Sequence, residues 1–272
     1  ALSRSAKCAK AAVGCSTSAS AEGPVAVARF LAAPDSVWDL IFCLLCRYDA
    51  LFGTGNKEGG GFHAALPAAV FDVLAGAAGG AGVESFASPM LCQGAAWRYC
   101  SLFGDLDIFF GSLGSFLGPA VQPELLGGLF EANPPFVRGI VTQMVDKMLA
   151  SLEAAEATGT ALHFAVVLPG VAGPAGSDSE PREEELPAAG AAEDAIKRLQ
   201  ASRFMLASLS QRRRCFTYGL AFKTDRAWPT FVVPAILLLL GTGDLSDRAA
   251  ALVSRIRRAW ADRGVSSDSD SP

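Results

Sequence analysis

The chain has 272 residues, 51% of them apolar, and a formal net charge of −4, long and apolar enough for one α/β domain of ordinary size with additional segments. Its longest apolar run, Phe231 to Leu240, is too short to span a bilayer and contains Pro234, which excludes a membrane helix there and leaves a buried central strand. Seven cysteines, an odd number without framework spacing, exclude a disulfide scaffold and point to reduced thiols in an intracellular compartment.

The charge is unevenly spread. Between Asp178 and Asp194 there are seven acids against one base, and Asp268 and Asp270 follow in the tail. The remaining body is mildly basic, which suits a short nucleic acid as partner.

Taken in chain order, the first stretch, Ala1 to Gly23, is rich in Ala and Ser and lacks an apolar segment of the length a secretory signal needs. Residues 1–24 read as a disordered lead, with a transit peptide as the alternative. Pro34-Asp35-Ser36 predicts a helix start, and the apolar spacing from Val37 to Leu51 predicts a mostly buried helix that ends before Gly53. Cys43 and Cys46 fall inside that helix and read as two core thiols, so no metal site is expected. The run from Phe52 to Gly61 is glycine-rich, either a flexible connection or a phosphate cradle, and completes a helical lead-in over 25–60.

A domain is expected over 61–247. Leu66-Pro67 opens a helix with Val70, Phe71 and Leu74 on one face. Val83 to Phe86 is a short strand ending in Ala87-Ser88-Pro89, where a doubly wound sheet places a nucleotide-like cofactor; the alternative is a plain turn. From Leu91 to Gly118 aromatics and glycines mix without a helical or strand period. Gly128 to Phe136 is an apolar run ending in Asn133-Pro134-Pro135-Phe136. Beyond it, the spacing of Ile140, Val141, Met144, Val145, Met148, Leu149 and Leu152 predicts a long helix packed on a sheet, with its methionines in the core. Leu162 to Pro169 is the next strand, and the strand, helix, strand succession argues a parallel crossover. Residues 170–192 are acidic and rich in Ala, Gly and Pro, an unstructured insertion. Arg212, Arg213 and Arg214 form a basic run, either a solvated loop or a phosphate contact. The apolar strand 231–240 follows, then a helix from about Leu245 to Ala261, so that 248–272 hold the C-terminal helix and an acidic tail.

Asn133-Pro134-Pro135-Phe136 carries the most specific chemistry. An amino group conjugated to a purine is a poor nucleophile because its lone pair is spread into the ring. The amide oxygen of Asn133 and a backbone carbonyl of the Pro-Pro segment can accept its two hydrogens and return density to nitrogen, while the prolines contribute no competing N–H. Phe136 can stack on the base. The pattern Asp/Asn/Ser-Pro-Pro-aromatic is the signature of amino-methyltransferases acting on adenine or cytosine; the alternative is a Pro-Pro turn that stops a strand and starts a helix.

A set of segments in one order extends this reading: Arg47 to Gly53, the glycine loop leading to Leu66-Pro67 and Val70-Phe71, Glu84 to Pro89, Tyr99-Cys100-Ser101, Asp105-Leu106-Asp107, Phe110-Gly111-Ser112, Gly128 to Phe136, and Ser202-Arg203-Phe204. From about Val37 to Gly241 the chain resembles the phosphorylated-CTD-interacting factors, a family of cap-specific adenosine N6-methyltransferases. The resemblance implies a Rossmann-like α/β fold with a doubly wound, mostly parallel sheet behind a helical segment. It implies a nuclear enzyme that uses S-adenosylmethionine to methylate N6 of the 2′-O-methyladenosine beside the mRNA cap, without a metal. By position, Asn133, Pro134, Pro135 and Phe136 match the catalytic motif; Phe52, Gly53, Gly55, Glu84, Ala87, Ser88 and Pro89 match cofactor-binding segments. Arg203 joins Arg212, Arg213 and Arg214 as expected RNA contacts. Capped RNA is the implied partner, and the RNA polymerase II tail enters only by family analogy, since the paired tryptophans and proline of a WW module are not found.

The chain departs from the family pattern at Leu113, where an arginine is expected, and at Gly170-Val171, where a Glu-Trp pair is expected. Two other readings therefore stand beside the first: an N6-adenine methyltransferase of another nucleic acid, and a scaffold of the same fold that has lost turnover.

Overall fold

The computed structural model describes residues 36–52, 64–80, 82–93, 97–169, 186–211, 217–218, 235–243 and 245–261. Residues 1–60 form one unit and 61–272 another. In the first unit, helix α1 (Ser36–Phe52) buries Leu40, Leu44 and Tyr48, which recur every four residues along one stripe. Trp38, Phe42 and Leu45 are exposed. The expectation of a mostly buried helix with two core thiols is thus corrected, because Cys43 is half-buried and Cys46 exposed. Apolar density in a sequence does not say how many faces of a helix are covered.

The second unit begins with β1 (Ala64–Ala65) and α2 (Ala68–Ala77), then β2 (Gly82–Ala87) and β3 (Trp97–Ser101). The short helices α3 (Gly104–Asp107) and α4 (Pro123–Leu126) precede β4 (Gly128–Ala132), α5 (Arg138–Thr158) and β5 (Leu162–Pro169). Next come α6 (Leu186–Gln200), β6 (Met205–Gln211), β7 (Thr217–Tyr218), β8 (Ala235–Gly241) and α7 (Ala249–Ala261). β1 and β7 pair as a small antiparallel ribbon. The other six strands form one sheet in the order β3-β2-β4-β5-β8-β6. Strands β3, β2, β4 and β5 pair in parallel, whereas β8 is antiparallel to both β5 and β6.

The sheet is covered on both faces, so its central strands are mostly apolar on both sides rather than alternating. On one face Val141, Met144, Val145, Met148 and Leu152 of α5, with Ile196 and Leu199 of α6, pack on Val83, Phe130, Phe164 and Leu238. On the other, Val70, Phe71 and Leu74 of α2, with Leu252, Val253, Ile256 and Trp260 of α7, pack on Leu129, Ala165, Val167 and Leu239. Phe116 joins the first layer, with ring centroids 5.5 Å from Phe86 and 6.3 Å from Phe130.

Three expectations change on contact with the structure. Residues 186–192, within the segment expected to be unstructured, belong to α6; Leu186-Pro187 can start a helix and the alanines that follow sustain it. The stretch from Leu91 to Gly118 contains β3, in which Trp97 and Tyr99 are buried and Arg98 between them is exposed. The apolar strand expected over 231–240 is β8, whose antiparallel direction its sequence does not encode, and Phe231 to Pro234 lie outside the described residues.

Candidate active site

The chain leaves β2 to form β3 on one side of it and then crosses back to form β4 on the other. Such a reversal opens a crevice beyond the carboxyl ends of the two flanking strands, the usual ligand position in a parallel sheet. β2 ends there in Ala87-Ser88-Pro89, and β4 ends there in Asn133-Pro134-Pro135-Phe136. Val83 pairs with Phe130 and Glu84 with Glu131 in register, so the two segments emerge side by side.

Local sequence fixes both ends. Before β4, Gly127 and Gly128 take φ values of 62° and 80°, where a side chain is strained. Leu129, Phe130 and Ala132 then anchor the strand in both layers. The prolines stop the ladder by withholding N–H donors. The N–H of Val137 donates to the carbonyl of Pro135 at 2.7 Å, a tight turn into α5. Pro134 is buried, while Asn133, Pro135 and Phe136 are half-buried, with Phe136 packed against the α2 and α7 layer.

Beyond β2, the carbonyl of Ser88 accepts the N–H groups of Leu91 (3.1 Å) and Cys92 (3.0 Å). This turn brings the N–H of Gln93 back onto Glu84, donating to Oε2 at 3.2 Å. The Ser88 hydroxyl is buried without a hydrogen-bond partner among the described residues. At the flank, the loop after β3 is tied down by Tyr99 Oη donating to the carbonyl of Phe110 (2.7 Å) and by the Ser101 and Ser112 hydroxyls, 2.7 Å apart. Leu113 donates its N–H to the carbonyl of Tyr99 at 2.9 Å and packs its side chain against the core.

Glu84 and Glu131 are both withdrawn from water, 6% and 1% exposed. Burial pushes the Glu84 carboxyl up to about 7 against the opposing Gln93 N–H. Burial, and then the charge of Glu84, hold the Glu131 carboxyl well above the usual range. One Glu131 oxygen, Oε1, has no hydrogen-bond partner among the described residues. Tyr99, the neighbour of Glu84 on β3, is likewise raised, chiefly by burial.

Of the residues expected at the site, the structure brings together Glu84, Ala87, Ser88 and Pro89 with Asn133, Pro134, Pro135 and Phe136. Phe52 ends α1 in the other unit; Gly53 and Gly55 lie outside the described residues, as do Arg212, Arg213 and Arg214. Arg203 is not brought to Asn133. Its guanidinium meets Glu156 at 2.7 Å, in the last turn of α5, and lies 4.6 Å from the ring centroid of Phe204, at the amino edge of the sheet. Sequence reasoning passed over Glu131, although an acid flanked by Leu129-Phe130 and Ala132 in a strand covered on both faces has to be buried. Among the described residues no group of three or more His, Cys, Asp and Glu is placed to hold a metal. No described helix is long and apolar enough to cross a membrane.

A family model described as the phosphorylated CTD interacting factor 1 WW domain matches residues 32–178, more than half of the chain. The chain belongs to this family. The stretch matched to phosphorylated CTD interacting factor 1 takes in α1, the four parallel strands β2 to β5 and the whole junction of β2 and β4. Two relatives, from Mus musculus and Homo sapiens, bear the name mRNA (2′-O-methyladenosine-N(6)-)-methyltransferase. Each is 40% identical over 129 residues, 47% of this chain and 17% of the relative. The match to these two relatives thus spans 17% of their length.

Proposed function

We propose that this chain is the methyl-transferring part of an RNA (adenine-N6) methyltransferase that uses S-adenosylmethionine to methylate N6 of the 2′-O-methyladenosine beside the mRNA cap. The single observation carrying this reading is the meeting of Asn133-Pro134-Pro135-Phe136 with the carboxyl end of β2 at the reversal of strand order. The names of the relatives support the reaction, and family membership supports a nuclear setting with the RNA polymerase II tail nearby. A Rossmann-like methyltransferase sheet is supported by helices on both faces and by the reversed β8 between β5 and β6.

The residues at the edge of β2 fit such a cofactor. Ser88 offers a buried hydroxyl without a partner among the described residues, and Glu84 and Glu131 offer acceptor oxygens beneath it, suited to a cationic, donor-bearing molecule. Glu84, Ala87, Ser88 and Pro89 would hold it. When bound, it supplies an electrophilic methyl group. Asn133 Oδ1 and a carbonyl of the Pro-Pro segment accept the two amine hydrogens and concentrate the lone pair on nitrogen. Pro134 and Pro135 add no competing donor. Phe136, fixed along one side by the α2 and α7 layer, presents the rest of its ring to the base. Positioning of this kind supplies most of the acceleration.

Gln211, the last residue of β6, pairs with Ala235 as Pro169 does, at the same carboxyl edge as Asn133. That supports Arg212, Arg213 and Arg214, next in sequence, as contacts for the RNA backbone. Leu113, in place of the expected arginine, favours one rival, a scaffold of this fold without turnover. Calorimetric titration with S-adenosylmethionine separates the two: binding supports the enzyme, whereas binding of neither cofactor nor capped RNA rejects it.

A further inference from the structure

Two acids in register on adjacent parallel strands lie about 4.8 Å apart at the backbone and project to the same face. Their strand neighbours Val83 and Phe130 pack in the α5 and α6 layer, so Glu84 and Glu131 face the α2 and α7 layer. The groups facing them are few. α2 contributes Val70, Phe71 and Leu74, and keeps its acid, Asp72, exposed; α7 contributes Leu252, Val253, Ile256 and Trp260, with Arg255, Arg257 and Arg258 exposed. Along the sheet, Glu84 neighbours Tyr99 on β3, and Glu131 neighbours Ala165 on β5. His163 pairs with Leu129, one step further from the carboxyl edge on that face. Burial raises the Glu84 carboxyl against the Gln93 N–H, and burial followed by the charge of Glu84 raises that of Glu131.

Two like charges this close and this dry do not both persist, so one proton stays with the pair. Glu131 stands one residue before the end of β4 and two before Asn133, about 7 Å from it along the extended chain. The charge of the pair therefore lies directly beneath the edge where the methyl donor is expected.

We propose that Glu84 and Glu131 act as one acidic unit, holding one shared proton and one negative charge under the junction of β2 and β4, and that this charge favours the sulfonium methyl donor over its thioether product. The inference rests on the methyl-transfer reading of the site. S-Adenosylmethionine and S-adenosylhomocysteine share an ammonium and a carboxylate and differ in the charge on sulfur. A negative charge under the site would bind the first more tightly and let the second leave. Because the ionised unit binds a cation better, and an ionised unit is the high-pH form, the preference grows with pH. At a pH near 7, where part of the protein still carries a second proton on the pair, binding of the sulfonium also expels that second proton.

The test is calorimetric titration of the intact chain with each ligand between pH 6 and 8, in two buffers of different ionisation enthalpy. The wild type is expected to release protons on binding S-adenosylmethionine near pH 7 and far fewer on binding S-adenosylhomocysteine. Its preference for the sulfonium should rise on the order of tenfold across that range. Glu131→Gln leaves Glu84 as buried as before and should keep the rise of the preference with pH; Glu84→Gln, which removes the group that ionises near pH 7, should lose that rise, and E84Q/E131Q should lose the preference. Equal proton release and parallel pH profiles for the two ligands in the wild type would overturn the charge assignment while leaving the methyl-transfer reading intact. Failure of the wild type to bind either ligand would overturn both. The buffer comparison uses the unmodified protein and so does not depend on the variants folding.

Discussion

Glu131 lies beside Glu84 across the pairing of β2 and β4, and the two carboxyl groups share one nearly anhydrous patch of the α2-facing side of the sheet. Both are raised by burial, Glu84 to about 7, so the folded chain binds protons that the unfolded chain has released. Stability from this source is complete below the ordinary carboxylate value and is lost as pH rises through about 7. Melting temperature should therefore fall between pH 5 and pH 8. Glu131→Gln should melt close to wild type at pH 5 and several degrees higher at pH 8. A variant that melts lower at pH 8 than wild type would show the acid to be stabilising there and the sign to be wrong.

Asn133→Ala removes the side-chain acceptor at the end of β4 and leaves Glu84, Ala87, Ser88 and Pro89 in place. Methyl transfer should drop by about a hundredfold or more, while affinity for S-adenosylmethionine changes little. Nucleoside analysis measures the first quantity and calorimetry the second. Near-normal turnover in the variant would remove Asn133 from the mechanism.

Lys147 on α5 donates from Nζ to the carbonyls of Gly118 (2.7 Å) and Val121 (2.6 Å) and sits 5.5 Å from the centroid of the Phe116 ring. Burial lowers its pKa, with the acid Glu124 opposing. Lys147→Met keeps the aliphatic stem and removes both hydrogen bonds. It should cost roughly 1–3 kcal/mol in urea unfolding. A loss within error of zero would mean that water replaces the ammonium without penalty.

Gly82 opens β2 directly against Trp97, and a Cβ there would overlap three atoms of the indole. That ring also stands edge-on to Phe71 of α2, with centroids 5.1 Å apart. Gly82→Ala should destabilise by roughly 1–3 kcal/mol as the Trp97 and Phe71 contact is forced apart. Unchanged denaturant midpoints would show that the indole can shift at no cost.

Arg212, Arg213 and Arg214 replaced together by Ala should weaken RNA binding and flatten its dependence on salt, each lost phosphate contact lowering the slope by about one. An unchanged slope would make the run a solvated loop.

Much of this arrangement is legible in the residues. β5 runs from Leu162 to Pro169 as its continuous apolar run foretells, and α5 buries Met144 and Met148 on the face that their spacing marks. The direction of β8 is not legible, because a strand covered on both faces reads the same either way. Nor is the partner of Glu131: an acid in an apolar strand signals a buried charge, but its meeting with Glu84 depends on the register of two strands about fifty residues apart. The exposure of Trp38 and Cys46 is hidden for a related reason, since the covering of a helix is decided outside its own sequence.

The most direct test of methyl transfer is mass spectrometry of nucleosides released from RNA incubated with the protein and S-adenosylmethionine. The RNA should carry a cap followed by 2′-O-methyladenosine, with uncapped RNA of the same sequence alongside. Methyl transfer at Asn133 predicts N6,2′-O-dimethyladenosine from the capped RNA with the wild type and none with Asn133→Ala. Wild-type protein that binds the cofactor yet leaves both RNAs unmethylated would contradict it.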